Sequence, residues 1–271
     1  MQRAWHMRGG RRAPWMRCVA GAVGTCAAVA TLAPAASWAQ TDRDIDQTSV
    51  QSPHIALTAG MVVPQGSWAQ SYTTFGAVGV LAGLKTASNH YLYAHAQSLT
   101  GARVEIPGLL SDLLTPQGQI IDNEGDVAQI SITGRGGMFG LGVGHIFPTM
   151  RSNPNSGWML KLGAGSLHHN VHFDYTENRI GPLEGDRLHG YDRLRWGAFG
   201  EVRAGYWFMS NDQRINAYGG VHLGAAQTFA QRAVNFDTLE PNVPQAWDGW
   251  WGVDVGWVLH IYRRAAKEFW Y

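Results

Sequence analysis

The sequence is poor in cysteine, in charge and in long apolar runs. Its two cysteines, Cys18 and Cys26, both precede Ala39. The chain beyond that point therefore has no thiol, no disulfide framework and no cysteine metal site. Charged residues make up 15% of the chain and the formal net charge is +1, which gives no basis for binding nucleic acid or an acidic partner. After Ala39 no apolar run approaches the ~20 residues that a membrane-spanning helix needs. No phosphate-cradling glycine loop or nucleotide motif is present; the 34 glycines are scattered at strand spacing.

The N-terminus carries Arg3, Arg8, Arg11, Arg12 and Arg17 ahead of an alanine-rich apolar run from Cys18 to about Pro34. Ser37-Trp38-Ala39 then offers a small-x-small cleavage pattern. This predicts a signal peptide over 1–39, exported by the general secretory route and cleaved before Gln40. A polar, flexible periplasmic lead-in is expected over 40–53, and a barrel over 54–271.

The stretch from Tyr191 to Ile261 alternates with a period of two. Leu194, Trp196, Ala198, Gly200, Val202, Ala204, Tyr206 and Phe208 oppose Arg195, Glu201 and Arg203. Ile215, Ala217, Val221, Leu223, Ala225 and Phe229 oppose Asn216, Tyr218, His222 and Thr228. Trp251, Val253, Val255, Trp257, Leu259 and Ile261 oppose Asp254 and His260. Successive strand side chains point to opposite faces, so each strand is apolar on one side and polar on the other. A soluble sandwich or lipocalin-like barrel also alternates, but its strands average about 5–6 residues. These keep phase for roughly 10–16, as a tilted transmembrane strand of at least about 9–11 must. Trp196 and Tyr206 are ten steps apart on the apolar face, about 25 Å of height for a tilted strand, which matches the band between aromatic girdles.

Earlier strands are expected at His54–Val63, Phe75–Thr86, Tyr91 to about Thr100, Val127–Phe147 and Trp158–Tyr175. Pro64-Gln65-Gly66-Ser67 should break the first. A short amphipathic helix carrying Leu109, Leu110, Leu113 and Leu114, bracketed by Pro107 and Pro116, is expected in a long loop, packed on the barrel rim. Apolar residues change parity near Gly134–Gly137 and again near Ser166–Leu167, which predicts a bulge at each, or at the second a strand leaving the membrane. The count is eight strands, with longer connections at positions one, three, five and seven. The predicted fold is thus all-β, an eight-stranded antiparallel up-and-down transmembrane barrel. Long loops lie outside, short turns and both termini in the periplasm.

Lys85, Lys161, Arg195, Glu201, Arg203 and Asp254 fall on inward faces. An eight-stranded barrel is only wide enough for side chains to fill it, and buried charges must pair, so these predict an internal salt-bridge network. His168, His169 and His172 suggest a metal, but on a strand His168 and His172 lie about 13 Å apart. Bonds of about 2.0–2.1 Å cannot bridge that gap, and His222 or His260 would have to contribute. Ser166 and His168 share a parity, as a lipid A deacylase would require. The His-x-Ser-Asn order of such barrels is however reversed here in Ser166-Leu167-His168-His169-Asn170. No catalytic, cofactor-binding or metal residue is assigned, and no cofactor is expected.

Asn153-Pro154-Asn155-Ser156-Gly157, Leu183-Glu184-Gly185-Asp186, Gly190-Tyr191-Asp192-Arg193-Leu194 and Asn235-Phe236-Asp237-Thr238 resemble blocks of the small outer-membrane barrel proteins of the Bacteroidetes lineage. The likeness runs from about Gly60 to the C-terminus. It implies an eight-stranded, porin-like outer-membrane barrel of a Gram-negative bacterium, with no established activity. The expected role is non-enzymatic, structural or surface recognition. The expected partners are outer-membrane lipid, lipopolysaccharide and an envelope protein met through the external loops, with no nucleic acid. The competing readings are a lipid A-modifying hydrolase, an accessory subunit of an envelope secretion or assembly machine, and a small porin.

Overall fold

The computed structural model describes residues 49–150, 153–175, 179–210 and 216–261. The predicted signal peptide, most of the lead-in and most of the turn expected at Ser210–Gln213 lie outside them. The described residues form eight antiparallel strands: β1 (Ser52–Gly66), β2 (Phe75–Lys85), β3 (His90–Arg103), β4 (Ser131–Met150), β5 (Asn153–Asp174), β6 (Arg195–Met209), β7 (Asn216–Ala230) and β8 (Gln245–His260). Each strand pairs with its sequence neighbours and β8 returns to β1, closing the barrel in the order β1 to β8. Closure gives every strand a neighbour on both sides.

Alternation produces an inside-out distribution. On β5, Lys161 is 1% exposed while the adjoining Leu162 is 55% exposed. Val221, Leu223, Val255, Trp257, Val78 and Val80 also project outward. Inward lie Lys85, His95, Gln97, Glu201, Arg203, His222 and Asp254, all buried. Trp158 meets Tyr206 edge to face, with ring centroids 5.7 Å apart, on the exterior near the short-turn end. Trp196, Phe229 and Trp247 are exposed toward the other end.

A bulge does form opposite Gly134–Gly136, in the ladder of β4 with β3, but none forms at Ser166–Leu167. Pairing of β4 with β5 runs unbroken from Ser131↔Asp174 to Pro148↔Gly157. What changes is the location of the apolar residues. At the short-turn end Leu141, Val143, Leu160 and Leu162 face out. At the loop end Leu167, Val171 and Phe173 face in, and Ile132 packs against them, while His168 and Asp174 face out. Both strands outrun the apolar belt, which is the second of the two readings for β5. The irregularity lies on β3, where Leu99 pairs with Gly136 but Ala102 pairs with Gly134. Gly101, within that step, has φ +82°, a left-handed conformation that glycine adopts without strain.

Several boundaries also differ from expectation. β1 runs through Pro64 because its pairing with β2 ends at Val62, while pairing with β8 continues to Gly66. One side is therefore unpartnered there, where a strand tolerates proline. The segment between the fourth and fifth expected strands, Pro148–Gly157, is largely strand among its described residues. The amphipathic helix is a single 3-10 turn at Ser111–Leu113, preceded by Leu110 at φ 59°. Leu110 in the left-handed region interrupts the right-handed backbone that a longer helix needs. Leu110 is nonetheless buried in the core at the loop end, with Leu109 and Leu113 against it.

Candidate functional site

The lumen is filled in three layers. Nearest the short turns, Lys85 Nζ donates to Asn155 Oδ1 at 3.0 Å, the Val50 carbonyl at 3.1 Å and Ser49 Oγ at 3.0 Å. Asn155 Oδ1 also accepts from the Val50 amide at 2.9 Å. The chain before β1 is thereby tied across the barrel floor. Beside it, Lys161 Nζ lies over the rings of Tyr91, Tyr93 and Tyr218, at 5.4, 4.9 and 4.6 Å from their centroids. The negative ring faces attract the ammonium, an interaction that strengthens away from water.

The middle layer is ionic. Arg203 Nε donates to Glu201 Oε1 at 2.8 Å and Nη2 to Oε2 at 3.0 Å. Its Nη1 donates to Asp254 Oδ2 at 3.3 Å, and Nη2 to Gln97 Oε1 at 3.3 Å. His95 Nδ1 lies 3.6 Å from Glu201 Oε1. The fork geometry of guanidinium suits the two-oxygen contact. The predicted internal network exists around Arg203, Glu201 and Asp254, but among the described residues Lys85 and Lys161 form no salt bridge in it. Arg195 is not part of it. It sits at the loop end, where Nε donates to Thr228 Oγ1, Nη2 to the Thr228 carbonyl and Nη1 to the Val243 carbonyl. Glu201 is six positions beyond Arg195 along β6, roughly 20 Å of extended chain.

Above this lies an aromatic layer. The 3-10 turn Trp68–Gln70 inserts a fully buried Trp68, which stacks on His169 at 5.1 Å and contacts Phe75 and Trp250. His169 Nε2 lies 3.2 Å from Asp248 Oδ2, and Asp248 also accepts from Ser67 at 2.8 Å and from Thr228. The three histidines of β5 are divided. His169 points into the barrel, while His168 and His172 project from the outward parity. Ser166 has that outward parity too. Among the described residues no group of three His, Cys, Asp or Glu is placed to hold a metal. Asp248 was not foreseen because β8 begins earlier than expected, at Gln245. Its even parity with Trp250 and Asp254 is the signal that identifies it.

The loops close the mouth through reciprocal clamps. Arg193 Nη2 donates to both Asp237 oxygens, at 2.8 and 2.7 Å. Arg232 Nε and Nη2 donate to the two Asp192 oxygens, at 3.1 and 2.7 Å. Each clamp joins the β5–β6 loop to the β7–β8 loop. Tyr191 Oη donates to Asp112 Oδ2 at 2.6 Å and brings in the β3–β4 loop. The Phe236 amide donates to the Gly190 carbonyl at 3.0 Å, and the Phe236 ring occupies the space where a Cβ at Gly190 would stand, with its nearest atom 2.1 Å away. Burial and the Asp112 carboxylate hold the Tyr191 phenol above its ordinary range. The Asp192 carboxylate raises the Arg232 guanidinium. Burial likewise raises the Tyr72 phenol.

No family model and no curated protein matches the chain, so the likeness to a Bacteroidetes family has no support at the level of sequence. Among the solved structures that resemble it are a β-barrel domain and two outer-membrane proteins. The N-terminal β-barrel domain of Pseudomonas aeruginosa OprF is 10% identical with TM-score 0.33, covering 77% of this chain and 99% of that one. The outer membrane protein OprG from Pseudomonas aeruginosa is 11% identical with TM-score 0.36, covering 80% and 100%. A major outer membrane protein from Thermus thermophilus is 11% identical with TM-score 0.38, covering 76% and 99%.

Proposed function

We propose that the chain is a non-enzymatic outer-membrane β-barrel of a Gram-negative bacterium, with a side-chain-filled lumen and a structural or surface-recognition role. The observation that carries this reading is the inversion of polarity across the wall. Leucines, valines and tryptophans face out over a continuous belt, while lysines, arginine and carboxylates are buried within. Water around such a belt would hydrate an apolar surface far larger than a soluble monomer exposes, whereas lipid satisfies it. Its partners are the lipid and lipopolysaccharide around the belt, and an envelope protein reached through the clamped loops. The start of β1 and the end of β8 share one end of the barrel with the short turns, which supports a periplasmic side for both termini. The plugged lumen favours this reading over a small porin. The outward parity of Ser166 and His168 separates them from the buried Asp248 and weighs against the hydrolase. Fractionation to the outer membrane, with heat-modifiable migration on a gel, tests the location. A soluble, detergent-independent fold would reject it.

A further inference from the structure

We propose that the loop end of the barrel holds a binding site for a small oxyanion, centred on Arg195. A cavity of about 120 Å3 lies there, lined by Tyr72, His169, Arg193, Arg195 and Asn242 together with Ser71, Ile106, Leu194 and Ala230. That is a little under the ~150 Å3 that accommodates a benzene ring. Two guanidinium groups line it and no carboxylate does. Arg193 is neutralised by Asp237. Arg195 has no carboxylate within ion-pair distance among the described residues, and its partners are one hydroxyl and two carbonyls. These occupy three of its five N–H donors and leave one on each terminal nitrogen.

Other lining groups also have unused capacity. Arg193 Nε, Tyr72 Oη and His169 Nδ1 are buried with no protein partner, and leaving such groups unsatisfied is costly. A half-buried cation linked to the Asp248 carboxylate only through the Thr228 hydroxyl, beside uncommitted donors, favours a ligand with negatively charged oxygens. Guanidinium binds such oxygens through paired N–H contacts. Asp248 holds the Nε2 side of His169, so its other nitrogen accepts a hydrogen bond from a ligand that keeps an O–H. Hydrogen phosphate fits both requirements. The site goes beyond the function proposed above and does not depend on whether the lumen conducts.

Calorimetric titration of inorganic phosphate into the full chain, folded in detergent micelles, tests the site. Saturable binding at one site is expected, weakened at least tenfold in Arg195→Gln. Arg179→Gln, which removes only an exposed pair with Glu184, should bind as the unmodified chain does. Ser71→Asp places a carboxylate in the lining without touching the bonds of Arg195, and should also lose at least tenfold. It keeps the test decisive if Arg195→Gln misfolds on a gel. A flat titration of the unmodified chain overturns the proposal, as does unweakened binding in either folded lining variant.

Discussion

Glu201 and Arg203 are two residues apart on one strand, and their side chains meet inside the barrel with Nε 2.8 Å from Oε1. Period-two alternation sends both inward, and the long arginine bends back over its neighbour. Asp254, from β8, reaches the same guanidinium at 3.3 Å. The ion pair therefore ties the wall at β6 to the wall at β8 across the intervening strand. Removing one partner of a buried pair typically costs about 3–5 kcal/mol. Glu201→Ala is expected to destabilise the barrel by about that much in urea titration. Planar-bilayer current should be small for the unmodified chain and rise in the variant; a large, steady current without mutation would sink the plugged lumen.

Val253 faces outward on β8 between Met61 and Val221. Arginine there should lower the stability of the folded barrel in lipid by about 2–4 kcal/mol, the cost of a charge near the midplane. Refolding into vesicles across a urea series measures it. If the Val253→Arg chain is fully folded in water without detergent, the lipid-facing assignment is wrong.

The loop clamps should act as a unit. Asp237→Ala leaves the Arg193 guanidinium without its carboxylate, and Gly190→Val collides with the Phe236 ring. Both are expected to expose the β5–β6 and β7–β8 loops to protease while the strands stay protected. Equal digestion of variants and parent would show that the clamps do not hold the cap.

Titration of Tyr191 gives a pH test. Its folded-state pKa lies above the ordinary tyrosine value near ~10 because burial and Asp112 disfavour the phenolate. The stability it contributes is therefore complete below pH ~10 and is lost as the pH rises through the higher folded value. Ultraviolet difference spectra should show a late group of phenolates, Tyr72 among them, and Tyr191→Phe should shorten that late step by one phenolate. A Tyr191 that ionises with the exposed tyrosines would contradict the contact.

How legible the fold was depends on which solvent each segment meets. β6, β7 and β8 read clearly because Val202, Val221 and Val255 alternate against Arg203, His222 and Asp254 throughout the belt. β4 and β5 misled because Ile132 and Val171 pack inward while Leu141 and Leu162 face out, so parity alone suggested bulges. Pro64 looked like a strand end, since pairing partners are invisible in one sequence. Lys161 and Glu201 were legible as inward charges, but which pairs form was not. Arg195 shares a face with Arg203, yet it belongs to another layer, and only the register of β6 against β7 and β8 separates them.

The change of faces along β4 and β5 fixes a waterline on the molecule. Below Leu141 and Leu162 the wall is built for oil outside; beyond Val171 and Phe173 it is built for water outside and carries its own oil within. Depth of immersion is therefore encoded in the strands themselves, independently of the loops. Lengthening β4 and β5 by one matched pair of residues on each, above Leu141 and Leu162, would raise the loop cap without moving the belt. The same insertion below them would stretch the belt and create a mismatch with the bilayer.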